Sequence, residues 1–241
     1  MNWIKPDWPL PAHVHAAVTL RTGGVSSGGY ASLNPANHVG DDPVHVQTNR
    51  QFIKDMLQLP AEPVWLQQVH GMRAVKADQI SGPEQADASF TDQAGTVCAV
   101  LTADCLPVLF CGDQGEVIAA AHAGWRGLQA GVLGETLKAM NCRDIHVWLG
   151  PAIGPDQFEV GDEVRDAFVG DNPGTAAAFR KSQPGKWLAD IYRLARTNLS
   201  ELGIDQIFGG GLCTVTDPQR FYSYRRDGAA TGRMASLIWR D

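Results

Sequence analysis

Short runs of apolar and β-branched residues recur along the chain, each closed by Gly, Pro, Asp or another polar residue. They are Val14 to Leu20, Val64 to Val69, Met72 to Ala77, Val97 to Leu101, Pro107 to Cys111, Val117 to Ala121, Ile145 to Leu149, Ile204 to Phe208 and Met234 to Trp239. Runs of this length and composition predict strands. Helical periodicity is rarer. Pro43 to Leu57 follows Asp41-Asp42, a cap pair before a proline at the first helical position. Gly127 to Met140 repeats apolar residues at Leu128, Val132, Leu133 and Leu137, and Asp190 to Leu202 does so at Ile191, Leu194, Ala195 and Leu199, with Gly203 as the stop. Many strands with a few irregularly placed helices do not follow βαβ winding. The pattern predicts the α+β class, a layered α/β sandwich with a mixed sheet, and no long linker divides residues 1–241 into more than one domain. The longest apolar stretch, Val97 to Phe110, is interrupted by Thr102, Asp104 and Pro107, so it falls short of the ~20 residues that a membrane-crossing helix needs.

Charge narrows the partners. Against 26 acidic residues stand 20 basic ones, a net charge of -6, whereas a nucleic-acid duplex or an anionic membrane selects a basic footprint. The expected partners are small molecules. Five cysteines are an odd number, and Met1 to Asp7 shows no charged-then-apolar leader. The chain is therefore expected in the reducing cytoplasm, with its thiols either buried filler or chemistry.

Three fragments carry candidate chemistry: Gln67-Gln68-Val69-His70-Gly71, Leu101 to Pro107 around Asp104-Cys105, and Ala120 to Gly127 around His122. Each puts a His or Cys at the end of an apolar run, where a side chain can leave a sheet for a cleft. The spacings are too long for a zinc finger, and no CxxC or HxxxH occurs. On residue types alone, a buried thiol with hydrogen-bonded histidines is the simpler reading, and a metal site remains open beside it. Cys98, Cys111, Cys142 and Cys213 read as small buried hydrophobes, and His13 with His15 as a sheet edge. Gly23-Gly24 and Gly28-Gly29 lack the lysine of a phosphate-binding loop.

Taken in order, the blocks Thr22 to Ser26, His38 to Asp42, Gln68 to Gly71, Thr102 to Pro107, His122 to Gly127, Gly150 to Gly154, Phe158 to Gly161 and Phe221 to Gly228 span nearly the whole chain. In them the chain resembles the YfiH family, also called the laccase-domain, polyphenol oxidoreductase or purine nucleoside phosphorylase family. The resemblance implies a fold similar to the cysteine-hydrolase fold of the cytotoxic necrotizing factor toxins. It also implies a catalytic zinc at His70, Cys105 and His122, whose open fourth position takes water or substrate. The implied activity is phosphorolysis of adenosine, inosine and methylthioadenosine, with deamination of adenosine at the same site. Phosphate needs cations, and Arg21, Arg126 and Arg225 lie in or beside the recognised blocks, with Arg50 and Arg226 as further candidates; Asn37 and Gln68 are candidates for the purine or ribose.

Two features depart from related chemistry. Zinc deaminases use an HxE glutamate, whereas His122 is followed by Ala123-Gly124, which leaves Asp104 as a substitute proton carrier. Seven histidines are too few for the blue-copper and trinuclear sites of a multicopper oxidase, although a single copper fits a His-Cys-His set. Three alternatives stay open: a copper-dependent polyphenol oxidase, a hydrolase with Cys105 as nucleophile that edits peptidoglycan precursors, and a metal-holding protein without catalysis.

Overall fold

The computed structural model describes residues 3–241; Met1 and Asn2, the start of the expected domain span, lie outside the described residues. In chain order the elements are β1 (Trp3–Ile4), β2 (Val14–Thr19), α1 (Pro43–Leu57), β3 (Ala74–Lys76), β4 (Ala88–Thr91), β5 (Val97–Thr102), β6 (Leu106–Gly112) and β7 (Ile118–Ala123). They continue with α2 (Trp125–Ala130), α3 (Val132–Met140), β8 (Ile145–Leu149), β9 (Glu159–Gly161), α4 (Asp162–Asp171), β10 (Phe179–Lys181), β11 (Lys186–Ala189), α5 (Ile191–Glu201), β12 (Ile207–Gly209), α6 (Tyr224–Asp227) and β13 (Met234–Arg240).

The strands form a four-stranded sheet of order β1-β2-β13-β5, a six-stranded sheet of order β12-β8-β6-β7-β4-β3, and a small sheet of order β10-β11-β9. In the six-stranded sheet β12–β8 and β3–β4 pair in parallel and the other neighbours antiparallel, so the sheet is mixed, as the sequence predicts.

Side-chain alternation decides which face each residue serves. Val18, Cys98, Val100 and Ile238 of the four-stranded sheet meet Leu109, Cys111, Ile118, Ala120 and Trp148 of the six-stranded sheet. The opposite faces are covered by helices. Ile53 and Leu57 of α1 lie against Ala17, Ala99, Leu101 and Leu237. Val108, Phe110, Ala119, Ala121 and Val147 lie against Leu128, Val132, Leu133, Leu194 and Leu199 of α2, α3 and α5. The stack is helix, sheet, sheet, helix. Strands β5, β6 and β7 are buried on both faces, which is why they read as continuous apolar runs.

Several boundaries differ from expectation for local reasons. Val64 to Val69 is not a strand, and its ladder pairing is limited to isolated bridges, Val64 with Cys98 and Gln67 with Gln85. The helix expected over Gly127 to Met140 begins at Trp125 and is broken at Gly131, whose φ of 99° ends α2 and starts α3. The run from Ile204 becomes a strand only at Ile207. β1 covers β2 only at Val18 and Thr19, so the strand is an edge at His15, as expected, where the imidazole stacks on Trp239 and bonds Asp241.

A candidate metal centre and its cleft

His122 is the penultimate residue of β7, on the face turned toward the four-stranded sheet. Cys105 sits in the tight turn between β5 and β6, and His70 in the turn that precedes β3. The ligand-capable atoms of these three residues lie within 4.8 Å of one another, and among the described residues they are the group able to hold an ion. Cys105 Sγ is 3.8 Å from His70 Nε2, and the two imidazole rings meet edge to face at 4.7 Å between centroids. His122 is buried, Cys105 partly exposed and His70 exposed, so the group opens on one side to the cleft.

Asp87, at 0% exposure, organises the cluster. Its Oδ1 lies 2.8 Å from His122 Nδ1, and its two oxygens accept backbone N–H bonds from Val69, His70 and Gly71 at 3.2, 2.9 and 2.7 Å. The same carboxylate thereby shapes the turn that presents His70, which has φ of 60°, and fixes the ring of His122. An ionised carboxylate only accepts, so Nδ1 of His122 carries the hydrogen and Nε2 is left for a ligand. Burial pushes Asp87 up, but the hydrogen bond and charge of His122, with the N–H groups of Gly71 and Val69, hold it below the usual carboxylate range. Nothing in the sequence around Gln85-Ala86-Asp87-Ala88 marks this residue.

The thiol is electrostatically prepared. Burial raises it, and His122 and His70 outweigh burial to bring Cys105 down to about 6. In turn, burial lowers His122, while the Cys105 thiolate and Asp87 raise it to about 9. A thiolate and two imidazoles converging from one strand and two turns fit zinc, or copper, by the chemistry of the donor set. Close packing supports the same reading. A Cβ on Gly124 would come within 2.9 Å of Cys105 Sγ and 3.0 Å of His70 Cδ2. Gly127 similarly lets α2 approach the carbonyl oxygen of Gly71, which a Cβ would meet at 2.8 Å.

The cluster forms part of a cleft of about 510 Å³ whose walls include Trp125, Phe158, Ile191 and Tyr224, with Arg126, Arg225 and Arg233 as its cations. A second cleft adjoins it through His38, Gln68 and Leu101 and also contains Asn37, Arg50 and Trp65. The expected substrate residues separate on this map. Arg126 and Arg225 line the first cleft and Asn37 the second. Arg21 lines neither; it donates to the carbonyls of Ala31 and Pro218 and lies 4.7 Å over the Tyr222 ring. Gln68 is not free for a ligand, because both ends of its amide bond the backbone of Leu101. Arg226 holds the carbonyls of Thr214, Val215 and Phe221. Asp104, the expected proton carrier, is engaged as an acceptor: its oxygens accept from Thr214 Oγ1 at 2.5 Å, Ser223 Oγ at 3.0 Å and the Arg225 N–H at 2.6 Å. It ties the Cys105 turn to α6 instead. Asp87, buried behind the cluster, and Arg233, in the wall of the cleft, are the residues that sequence reasoning missed.

Comparison with known proteins agrees with this description. Residues 15–241 match the family model described as multi-copper polyphenol oxidoreductase laccase. The chain is 54% identical over 239 residues to the purine nucleoside phosphorylase YfiH of Escherichia coli, and 52% identical over 240 residues to a purine nucleoside phosphorylase of Pseudomonas aeruginosa. Each of these matches covers 98% of both chains. Among solved structures it is similar to a Neisseria meningitidis protein of a family of unknown function, with a TM-score of 0.97 and 50% identity over 100% of both chains. It is also similar to YlmD of Geobacillus stearothermophilus, with a TM-score of 0.92 and 32% identity over 100% of this chain and 96% of that one.

Proposed function

Because the chain belongs to the laccase-domain (YfiH) family, we propose that it is a metal-dependent purine nucleoside phosphorylase that works at the His70, Cys105 and His122 cluster. The observation that carries this reading is the convergence of three deprotonatable ligands on one wall of an aromatic, arginine-bearing cleft. In phosphorolysis a phosphate oxygen forms a bond to C1′ of the ribose, the C1′–N9 bond breaks, and the purine leaves with the electron pair and takes a proton. Zinc is the proposed metal, with copper as the alternative, and when bound it supplies a Lewis acid with an open coordination position. His70, Cys105 and His122 would hold it, and Asp87 keeps His122 turned for the task. Trp125, Phe158 and Tyr224 offer faces for a purine, and Arg126 and Arg225 offer positive charge for the phosphate and the developing anionic base.

Adenosine, inosine and methylthioadenosine are the proposed substrates. Deamination of adenosine at the same pocket is a further part of the proposal. It is expected to run slower than phosphorolysis, since Asp104, the carboxylate lining the cleft, already has its oxygens engaged. A reducing compartment such as the cytoplasm suits a site that depends on a thiolate. Incubation of metal-replete protein with adenosine and phosphate should yield adenine and ribose 1-phosphate, with lesser inosine, and His122→Ala should abolish all three. Absence of the products from wild type, or their retention in the variant, rejects the reading.

One observation favours a second reading. Asp87, His122 and Cys105 line up as orienting acid, base and lowered thiol, the arrangement of a cysteine hydrolase, as a fold like that of the cytotoxic necrotizing factors would have it. Amidase activity of that kind should survive chelation and be blocked by iodoacetamide. Metal chemistry should disappear with the chelator.

A further inference from the structure

Four arginines line the two clefts, Arg126, Arg225 and Arg233 the first and Arg50 the second. Arg126 is exposed, and its guanidinium carbon sits over the Trp125 ring, 4.3 Å from the centroid. Arg225 donates to the carbonyls of Gln157 and Glu159. Arg50 donates to Pro35 at 2.8 Å and covers Trp65 at 4.5 Å.

Arg233 differs from the exposed Arg126 and Arg225 in its burial. It is partly buried in the wall of the main cleft, at the start of β13, beside the cluster. Its Nη1 donates to the carbonyls of Thr231 and Gly232 at 2.8 and 2.9 Å. Among the described residues, neither Nε nor Nη2 has a protein acceptor, and no carboxylate lies within ion-pair distance. With Nη1 spent, the free edge is the one that carries two parallel N–H groups, Nε and Nη2, the fork that matches two oxygens of a tetrahedral anion. A partly buried cation that feels Cys105 and Asp104 only through their fields, with no carboxylate paired to it, gains from a directly bound anion. His38 lines both clefts and faces the same space. Burial, followed by the fields of Arg233, Arg50 and His122, holds it below its ordinary range. It is therefore neutral near pH 7 and free to exchange a hydrogen bond with an anion without adding charge. Burial likewise lowers Arg233, against the pull of Cys105 and Asp104.

We propose that Arg233, with His38 beside it and Arg50 beyond it, forms the binding site for inorganic phosphate at the junction of the two clefts. The proposal rests on the phosphorolysis reading and sharpens it. It moves the phosphate contact from the rim arginines to a residue outside all the sequence blocks that resemble the family.

The test combines calorimetric titration of inorganic phosphate with adenosine phosphorolysis at varied phosphate, for wild type, Arg233→Gln, Arg233→Lys and the remote control Lys138→Gln. Loss of a charged hydrogen-bond fork should raise the phosphate Kd and KM of the glutamine variant about tenfold or more, and those of the lysine variant less, with adenosine KM within about twofold of wild type. Bound metal, melting temperature and the control should not change. Unaltered phosphate binding in both Arg233 variants overturns the proposal. If Arg233→Gln fails to fold, the lysine variant carries the decision by the same criterion. Should the variants lose adenosine monophosphate while keeping inorganic phosphate, the site serves an ester on the substrate and the assignment is wrong. Should wild type bind phosphate through Arg233 yet leave adenosine uncleaved, phosphorolysis fails and the anion site stands.

Discussion

Asp87 does the work of several groups. One buried carboxylate sets the tautomer of His122 and folds the backbone of Val69, His70 and Gly71 around itself, so two of the three ligands depend on it. Asp87→Asn keeps the shape but loses the charge, and its amide presents two donors where N–H groups converge. Metal affinity should fall about 10–100-fold, as for other partners of ligating histidines, with far-UV circular dichroism unchanged. Chelator competition measures this, and wild-type affinity in the variant would show that Asp87 is only structural. The three ligands themselves were legible, because each stands in a motif at the end of an apolar run. Asp87 was not, since its meaning comes from pairing: the His122 N–H donates to the Asp87 carbonyl at 2.7 Å, one rung beyond Ala88 and Ala121 in the β4–β7 ladder. Gln68 shows the reverse error. A polar residue beside a ligand looked available, yet its amide completes the backbone pairing that an isolated segment near β5 lacks.

Among the elements, legibility followed capping and length. Asp42 caps α1 by accepting from the Val44 N–H at 2.8 Å, and Asp190 caps α5 by accepting from the Arg193 N–H at 3.0 Å. Both caps and the periodic apolar positions behind them are local signals. Asp42→Ala should cost about 1 kcal/mol of stability, seen as a lower denaturation midpoint, with turnover unchanged because Asp42 lines neither cleft and Arg50 stands further along α1. A larger loss, or lost turnover, would mean that the cap also fixes Arg50 in the cleft wall. Helix α4 and strands β9, β10 and β11 escaped notice. The helix buries only Val164 and Phe168 among charged neighbours, and the strands are three or four residues long, held by pairing with one another. Gly131 was read as part of a helix because sequence shows glycine's tolerance of a positive φ and not its use.

For the whole molecule, the doubly buried strands made the layered class readable, while sheet order was not, because which strand lies beside which is a property of long-range pairing. The chain's reading as one domain predicts a single unfolding transition. Metal at about 100 times its Kd should add about 2.7 kcal/mol. For a chain of this size that corresponds to roughly 5–10 °C in melting temperature. Differential scanning calorimetry with and without chelator tests both points. Two resolved transitions would reject the single domain, and an unmoved midpoint would reject metal binding to the native state.

The ligands stand on three separate connections, one before β3, one between β5 and β6 and one at the end of β7. No short peptide of this chain contains the set, so the ion has nothing to grip until β6, β7, β4 and β3 have paired in the six-stranded sheet. It should act as a late lock: added metal should leave the refolding rate near that of the apo chain and slow unfolding instead, as expected for contacts made after the transition state. Stopped-flow refolding and unfolding at matched denaturant distinguish the two limbs. Faster refolding with metal would place the closed cluster in the nucleus, and the order of assembly would have to be rewritten from the site outward.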